Sequence, residues 1–325
     1  MKAILCKAWG SPDTLVYEEV ESKAPAKGEV RIRVRACGVY FGDGLMVQGL
    51  YQVKPPFPFS PGGEIAGEVI DVGEGVAHLK PGDRLIAITY SGGLAEEVCV
   101  PAQATFPLPS SMSFVDAAGF PIAYGTSHIA LDHRGHLQPG ETLLVLGAAG
   151  GMGLTAVELG KLMGATVIAA ASTPEKLALA QQYGADHVIN YATENIRDRI
   201  KEITGGKGVN VVYDPVGGDL FEPCLRSTAW EGRYLVIGFA AGAIPQVPVN
   251  LTLLKNCSIV GVFWGAYILN QPKTFVASLQ TLLTWHAEGK LKPHIGHTFP
   301  LEQGADALWT LLRRQAMGRV VVTMD

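Results

Sequence analysis

The sequence predicts an α/β protein with a doubly wound parallel sheet and a second domain that is mostly β. The chain has 325 residues, more than the roughly 150 of a typical single domain. Its first 120 or so residues carry short strands separated by tight turns, whereas strands alternate with helices after Pro121. A glycine-rich turn joins one of the later strands to the helix that follows it.

The first part of the chain has the pattern of short strands and tight loops. Residues 30–34 alternate strictly between apolar and charged side chains, which is typical of a strand with one exposed face. Pro-Gly turns at 60–63 and 80–83 bracket residues 64–72, which are short enough for a single strand. We therefore expect a barrel-like arrangement of antiparallel strands.

The second part opens on a fully apolar strand. Residues 142–146 form a continuous apolar run, as in a parallel strand covered on both faces. The elements predicted next are helices at 154–163 and 174–183, and strands at 166–171, 209–213 and 234–237. Helices at 275–287 and 305–315 and a strand at 319–323 complete the chain, and we expect this last strand to return to the first domain.

Composition argues against several classes of function. The formal charge of −4 is spread without a basic run, so nucleic acid is not an expected partner. The longest apolar runs, at 143–154 and 259–269, are shorter than the roughly 20 residues of a membrane helix. Lys7 interrupts any signal-peptide core, and the five cysteines contain no Cys-x-x-Cys pair. These features predict a soluble cytoplasmic protein with no membrane partner.

The glycine-rich turn at 147–153 predicts a dinucleotide site. Gly150 and Gly153 fit the last two glycines of Gly-x-Gly-x-x-Gly, and Ala148 replaces the first. Such a turn lets the amides at a helix start approach a pyrophosphate, which a side chain would block. The predicted contacts are Ala149, Gly150, Gly151, Met152 and Gly153. The alternative is a glycine-rich helix start without a ligand.

The end of the next strand indicates the cofactor. An NAD site normally places an acid there for the ribose 2′-hydroxyl, but residues 169–173 contain none and the first acid is Glu175. Ser172 can donate to a 2′-phosphate and Lys176 can balance its charge, so we predict NADPH. The alternatives are a helix cap for Ser172 and a solvated lysine for Lys176.

Five motifs occur in an order that resembles a known family. They are Cys37-Gly38-Val39, Pro61–Gly67, Val72–Val76, Pro81–Arg84 and Ala148–Gly153. Together they resemble the medium-chain dehydrogenase/reductase superfamily, most nearly its zinc-free quinone oxidoreductase branch, that of zeta-crystallin. The resemblance implies a GroES-like catalytic domain formed by residues 1–120 and 265–325, with a Rossmann domain at 121–264 between its halves.

The residues that hold catalytic zinc in other members of that superfamily are replaced. Tyr40 and Gly63 occupy the places of the metal cysteine and histidine, and neither can supply a thiolate or imidazole. His294 and His297 are three residues apart, but Pro293 favours a loop there. We predict no metal, which favours reduction of an acceptor that is already electron-poor.

The resemblance also implies the acid that protonates the product. In the related reductases a Gly-x-Tyr tyrosine donates a proton or orients the substrate, and Tyr51 matches it. Tyr40 replaces an asparagine that stands eleven residues earlier in that family. Either phenol is a donor at pH 7, so we expect Tyr51 or Tyr40 to protonate the product oxygen. The alternative is that both only pack against the cleft wall.

Further cofactor contacts are implied by the resemblance alone. They are Thr126, Tyr191, Phe239, Phe263, Gly265 and Arg319. The alternatives are a hydroxyl bonded to its own helix for Thr126, core packing for the aromatic residues, and a plain surface position for Arg319.

These patterns predict an NADPH-dependent reductase of quinones or related conjugated carbonyls. A 2-enoyl thioester or alkenal reductase would share the same turn and tyrosine. A third alternative is a protein that binds NADPH without catalysis. The expected partners are a small-molecule electron acceptor and, by resemblance, a second copy of the chain in a homodimer.

Overall fold

The computed structural model describes residues 1–324, which form two compact units. Unit 1 contains residues 1–121 and the segment from Pro293 onward, and unit 2 contains Ile122–Lys292. The strands are β1 (Lys2–Leu5), β2 (Val16–Glu19), β3 (Glu29–Val39), β4 (Glu64–Val72), β5 (Arg84–Ile88), β6 (Glu97–Pro101), β7 (Thr105–Pro107), β8 (Thr142–Leu146), β9 (Thr166–Ala171), β10 (His187–Asn190), β11 (Val209–Asp214), β12 (Thr228–Val236), β13 (Ser258–Gly261), β14 (Ile295–Pro300) and β15 (Arg319–Thr323).

The helices vary from single turns to a helix of 16 residues. The α-helices are α1 (Phe41–Val47), α2 (Phe114–Ala117), α3 (Pro121–His128), α4 (Gly151–Leu162), α5 (Pro174–Gln182), α6 (Ile196–Ile203), α7 (Phe221–Arg226), α8 (Asn250–Lys255), α9 (Tyr267–Asn270), α10 (Pro272–Ala287) and α11 (Gly304–Leu312). A π-helical segment, Ile129–Arg134, continues α3. Short 3₁₀ turns lie at Pro12–Thr14, Ala102–Ala104, Gly218–Leu220, Trp264–Ala266 and Leu301–Gln303. Within residues 1–324 we find no helix whose length and apolar character would let it cross a membrane.

Unit 1 is built around a mostly antiparallel sheet. Its strand order is β14-β15-β3-β4-β5-β7, and β6 also pairs with β3. Alternate side chains of β3, including Val30, Ile32 and Val34, are fully buried, which is the alternation that the sequence predicts. The predicted final strand has the predicted bounds and pairs antiparallel with β3, with Val320 opposite Val39. The expectation that the chain's end returns to the first sheet is confirmed.

Unit 2 is built around a six-stranded parallel sheet of order β10-β9-β8-β11-β12-β13. The order reverses direction between β8 and β11, as in doubly wound folds. The apolar residues of β8 and β9 are buried on both faces of the sheet, which explains their unbroken apolar runs. The predicted α/β fold class, with a parallel sheet and a second β-rich unit, is confirmed.

Residues 265–292 differ from the sequence prediction, which places them with the first domain. They belong to unit 2, so the chain returns to unit 1 only at Pro293. The reason is α10, whose buried face packs onto unit 2. Its Phe275 ring lies 5.2 Å from the ring of Trp264, and its Ser278 hydroxyl lies 3.0 Å from Nδ1 of His128.

The close packing of α4 against the end of β8 can be tested at the glycine-rich turn that joins them. A Cβ at Gly153 would lie 2.2 Å from the carbonyl oxygen of Gly147, a backbone atom that cannot move alone. We predict that Gly153→Ala lowers the free energy of unfolding by about 1–3 kcal/mol, measured by urea denaturation. Gly261→Ala is the control, since a Cβ there meets no atom within 4 Å. Equal stability of the two variants would contradict the close approach.

Candidate functional site

The strands of unit 2 end together at one side of the sheet, which we call the carboxyl edge. Ladder pairs align these ends: Leu146 of β8 lies opposite Ala170 of β9, and Asp214 of β11 opposite Val236 of β12. The loops that follow these strands are residues 147–153, 172–176, 214–218 and 237–242. Ligands of open parallel sheets bind at this edge, where the strand order reverses.

The glycine-rich turn leaves the start of α4 open. Gly150 is the N-cap, and no side chain of the described residues accepts the first amides of this helix. Thr173 and Asn195, in contrast, cap α5 and α6 with their own side chains. A Cβ at Gly150 would come no nearer than 3.4 Å to another atom, so the space above the turn is clear. These free amides with their positive dipole end suit an anion.

Asp214 fixes the loop that faces this turn across the point where the strand order reverses. Its buried carboxylate accepts the amides of Val216 and Gly217 at 2.7 and 2.8 Å, and the hydroxyl of Tyr234 at 2.7 Å. Burial raises the pKa of Asp214 above its usual value, although these hydrogen bonds oppose the rise. The loop is therefore held by a carboxyl group whose hydrogen bonds lie inside the unit.

A buried chain of hydroxyl groups ties α3 to α4 and β11. The Ser127 hydroxyl lies 2.8 Å from those of Thr155 and Tyr213, and it also donates to the carbonyl of Met152 at 3.2 Å. Thr126, the predicted cofactor contact beside it, is buried on the same helix. The network therefore fixes the backbone of Met152, which belongs to the glycine-rich turn.

The end of β9 holds the residues predicted to select the cofactor. Thr173, rather than Ser172, caps α5, with its hydroxyl accepting the Lys176 amide at 3.3 Å. The helix-cap alternative for Ser172 is therefore wrong, and Ser172 and Lys176 are both half-buried. Tyr191 is adjacent, because its amide donates to the carbonyl of Ala171 at 3.1 Å.

The predicted aromatic contacts follow β12 and β13. Phe239 is half-buried over Gly217, where an added Cβ would lie 2.9 Å from its ring. Phe263 is 50% exposed, so the alternative that it belongs to the core is wrong. The core residue is its neighbour Trp264, whose indole packs against Gly125. Gly265 lies in the short turn that Trp264 begins.

Unit 1 holds a second group of chemically distinctive residues, the Tyr40 cluster, made of Tyr40, Asp43, Glu64 and Arg319. Gly38 of β3 lies opposite Glu64 of β4, and Val320 of β15 lies opposite Val39 of β3, so three adjacent strands bring these residues together. The Tyr40 hydroxyl donates a short hydrogen bond to Glu64. Burial, and then Glu64, raise the pKa of Tyr40 well above its usual value.

Arg319 lies inside the Tyr40 cluster. Its guanidinium stacks on the Tyr40 ring at 3.8 Å, its Nε donates to the Gly119 carbonyl at 3.1 Å, and Nη2 lies 3.5 Å from Glu64. Only 3% of the residue is exposed, so the alternative of a plain surface arginine is wrong. These contacts engage two of its nitrogens within unit 1. They explain why the charged side chain can be buried without contacting a cofactor.

Tyr51 differs from Tyr40 in what its hydroxyl does. Its ring packs against Gly42, at 3.2 Å from where a Cβ would stand, and against the core of unit 1. Burial, and then the charges of Asp43 and Tyr90, raise the pKa of Tyr51. Among residues 1–324 no group forms a hydrogen bond to its hydroxyl. Tyr51 therefore keeps its proton at neutral pH and has it available, whereas the Tyr40 proton is committed to Glu64.

The places of the family's zinc ligands have distinct surroundings here. A Cβ at Gly63 would lie 2.3 Å from the carbonyl oxygen of Thr89, so this backbone accepts no histidine at that position. Nε2 of His297 accepts the Met317 amide at 3.3 Å. In the described part of the chain no three His, Cys, Asp or Glu residues are grouped to hold a metal ion.

Sequence reasoning missed the residues that position the others. Asp214 could have been found, because it is an acid directly after an apolar strand and before Pro215 and two glycines. Glu64 stands in the Pro-Gly-Gly-Glu motif, which marked the family but not the hydrogen bond to Tyr40. Ser127 and Tyr213 gave no signal, since only the fold brings them within 2.8 Å.

Comparisons with known proteins cover nearly the whole chain. Residues 26–110 match the family model described as the alcohol dehydrogenase GroES-like domain, and residues 151–283 that of a zinc-binding dehydrogenase. A quinone oxidoreductase-like protein 2 homolog of Nematostella vectensis is 43% identical over 324 residues, which are 99% of this chain and 88% of the relative.

Two solved structures are similar to this chain over nearly its whole length. The quinone oxidoreductase of Escherichia coli, solved in complex with NADPH, has a TM-score of 0.93 and 30% identity, covering 99% of this chain and 100% of that one. The CurK enoyl reductase has a TM-score of 0.89 and 27% identity, covering 100% of this chain and 99% of that one.

The buried carboxyl of the Tyr40 cluster predicts a pH dependence of stability. Burial raises the pKa of Asp43 from 3.8 to about 6, against the opposing hydrogen bonds from the amides of Tyr40 and Gly62. Folding therefore favours the protonated acid, and the stability it contributes is full below pH 4 and is lost as the pH rises through 6.

Relative to an Asp43→Asn variant, the wild type should lose up to about 3 kcal/mol of unfolding free energy between pH 4 and 7.5. Urea denaturation of both proteins across this range measures the difference, since every other carboxyl titrates in both. Parallel pH profiles would contradict the raised pKa.

Proposed function

The chain belongs to the medium-chain dehydrogenase/reductase superfamily, in its quinone oxidoreductase branch, and from this membership we propose an NADPH-dependent reductase of quinones or related conjugated carbonyls. The observation that carries the proposal is the carboxyl edge of unit 2. There the uncapped start of α4 and the acid-free end of β9 follow two neighbouring strands, an arrangement that suits a phosphorylated dinucleotide.

The residues present fit NADPH. The amides of residues 151–153 would hold the pyrophosphate, because no side chain caps them and no Cβ at Gly150 blocks the approach. Ser172 and Lys176 would hold the 2′-phosphate, with Tyr191 beside them. Bound there, NADPH supplies the hydride. Thr126, Phe239, Phe263 and Gly265 remain proposed contacts on the nicotinamide side.

Tyr51 is the proposed proton donor. A quinone becomes a hydroquinone by gaining a hydride and one proton, and the proton must reach an oxygen as negative charge develops on it. The Tyr51 hydroxyl is protonated and free of protein hydrogen bonds in the described chain, whereas Tyr40 donates to Glu64. We therefore assign Tyr51 to the product oxygen and Tyr40 to the support of α1. The contacts of Arg319 with Tyr40, Gly119 and Glu64 favour a role in the Tyr40 cluster over its predicted contact with the cofactor.

A 2-enoyl thioester or alkenal reductase is the second candidate. The CurK enoyl reductase shares the fold, and a phenol like that of Tyr51 also suits protonation after hydride addition to an enoyl group. Binding of NADPH without catalysis is the third, and the available proton of Tyr51 argues against it.

Three further assignments accompany the proposal. We propose unit 2 as the dinucleotide-binding domain and unit 1 as the catalytic domain. We propose a homodimer from the family resemblance. A cytoplasmic location is proposed because the five cysteines are all free thiols, as expected in a reducing compartment.

Turnover with two acceptors tests the proposed reaction. NADPH oxidation is followed by absorbance with 9,10-phenanthrenequinone and, separately, with crotonyl-CoA, each repeated with NADH. We expect turnover of the quinone with NADPH and little with NADH. Turnover of crotonyl-CoA alone would favour the enoyl reductase, and no turnover despite tight NADPH binding would favour a non-catalytic protein.

The choice of cofactor depends on two side chains. We predict that Ser172→Ala combined with Lys176→Ala raises the Kd of NADPH at least tenfold and leaves that of NADH within about twofold, because only NADPH carries the 2′-phosphate. Titration calorimetry measures both constants. Lys201→Ala, which removes an exposed charge from α6, is the control. An equal rise in the Kd of both cofactors would show that other residues bind the 2′-phosphate.

The proton donor is tested at Tyr51. We predict that Tyr51→Phe lowers kcat on the preferred acceptor by a factor of about 10²–10⁴, the usual value of a general acid, while the Kd of NADPH is unchanged. The matched variant is Tyr40→Phe. For this variant we expect a lower Tm and a kcat close to that of the wild type, because its hydroxyl is bonded to Glu64. Full activity of Tyr51→Phe would exclude the assigned role.

A further inference from the structure

The π-helical segment Ile129–Arg134, which continues α3, is a feature that the proposed reaction leaves unused. Its wide turn is closed by the Gly135 amide, which donates to the carbonyl of Ala130 at 2.7 Å. Such a turn holds one residue more than an α-helical turn, which rotates the following side chains by roughly 100° around the axis. His133 and Arg134, at the end of the segment, therefore point in directions that an unbroken α-helix would not give them. Isolated π turns of this kind often lie at functional sites.

The chain between β13 and α9 carries two of the proposed nicotinamide contacts. Phe263 and Gly265 both lie in residues 261–267, which we call the 261–267 segment. Its backbone hydrogen bonds include one from the Val262 amide to a carbonyl of β12, at 3.0 Å, and one from the Ala266 amide to the carbonyl of Phe263, at 3.2 Å. Side chains of neighbouring helices add further contacts to this segment.

Helix α3 holds the middle of the 261–267 segment. The indole of Trp264 is buried against Gly125 of α3, where a Cβ would lie 2.6 Å from the indole nitrogen. The same ring lies 5.2 Å from that of Phe275 in α10. Trp264 stands between the two proposed contacts in the sequence, so its burial fixes the backbone between them.

The π-helical segment holds both ends of the 261–267 segment. Arg134 Nε donates to the carbonyl of Gly261 at 3.2 Å. The His133 ring meets the Tyr267 ring edge to face, with their centroids 5.8 Å apart. Burial raises the pKa of Tyr267 and the positive charge of Arg134 opposes the rise, so the guanidinium lies near this end as well. Two consecutive residues thus contact the first and the last residue of the 261–267 segment.

The carbonyl that Arg134 binds lies on the free edge of the sheet. β13 is the last strand of the order, and its neighbour is β12. In a parallel pair, the amides and carbonyls of alternate residues face the partner strand. Because the Val262 amide faces β12, the carbonyl of Gly261 faces away from it. Arg134 therefore provides a hydrogen bond that the sheet does not, at the residue where the chain leaves the strand.

We propose that the π-helical segment positions the nicotinamide of bound NADPH for hydride transfer, by holding the 261–267 segment at both ends through Arg134 and His133. The proposal rests on the proposed function and adds two positioning residues to it. The proposed phosphate contacts at 151–153 and 172–176 would hold the other part of the cofactor, so a looser 261–267 segment would displace the ring more than it weakens binding. A displacement of about 1 Å at a reacting group can lower a rate about 100-fold.

Kinetics of substitutions in the π-helical segment test the proposal. For Arg134→Ala, we expect kcat on the preferred acceptor to fall about tenfold and the Kd of NADPH to stay within about twofold. Arg134→Lys should restore most of the loss, because an ammonium group also donates to a carbonyl. His133→Ala should lower kcat by about threefold, since it removes only a ring contact. Arg134 is exposed, so neither of its substitutions leaves a cavity.

Gln138→Ala is the matched control for Arg134→Ala. The Gln138 side chain is also exposed and donates to a backbone carbonyl, that of His136, at 2.9 Å, but this carbonyl lies outside the 261–267 segment. We therefore expect the wild-type kcat and Kd for the control.

Two measurements without turnover separate this proposal from the proposed reaction. In Arg134→Ala, we expect faster hydrogen–deuterium exchange of the Val262 and Ala266 amides, and weaker fluorescence of bound NADPH because its nicotinamide is held less rigidly, both restored in Arg134→Lys. If the wild type reduced no quinone, these two changes would support the positioning residues while the proposed reaction failed. Unchanged exchange would overturn the proposal. Faster exchange with wild-type kcat and NADPH fluorescence would also overturn it, since Arg134 would then contribute to stability alone.

Discussion

The close approach of α4 to the end of β8 is the constraint on which the nucleotide unit depends. Gly153 faces the Gly147 carbonyl at a distance that admits no Cβ, so the helix starts immediately beyond the strand with its first amides uncapped. The hydroxyl of Ser127 then fixes the backbone of Met152 in this start, and the carboxylate of Asp214 fixes the loop after the neighbouring strand β11. The start of α4 thus presents backbone amides that no side chain caps in the described chain, which explains why glycines rather than charged residues mark the proposed pyrophosphate contact in the sequence.

Unit 1 buries the polar groups of the Tyr40 cluster near the proposed proton donor, Tyr51. Arg319 of β15 and Glu64 of β4 lie beside Tyr40, which directly follows β3, and the three side chains contact one another, so the buried charges of Arg319 and Glu64 are paired. This arrangement distinguishes Tyr40 from Tyr51, two tyrosines that are both candidate proton donors in the sequence. The proton of Tyr40 belongs to the cluster, and the proton of Tyr51 does not.

The sequence predicted those parts of the fold that depend on local pattern. The bounds of β9 and β15 were correct because apolar runs and turn residues define them, and the glycine-rich turn was found by its spacing. Partners set by the fold were not predictable. The helix α10 was assigned to the wrong unit, because an apolar helix face predicts burial but not the residues against which the helix packs. The alternative of a helix cap at Ser172 could not be separated from the predicted phosphate contact in the sequence, because Ser172 and the actual cap, Thr173, have the same capping chemistry.

The central claim is that NADPH binds at the carboxyl edge of unit 2 through backbone amides and two side chains. Hydrogen–deuterium exchange of the full chain, with and without saturating NADPH, tests it most directly, because amide protection reports the location of binding independently of turnover. The account predicts slower exchange in residues 147–153, 172–176 and 214–218, and no change in α6, whose first amides are already capped by Asn195. Unchanged exchange at 147–153 while NADPH binds would contradict it.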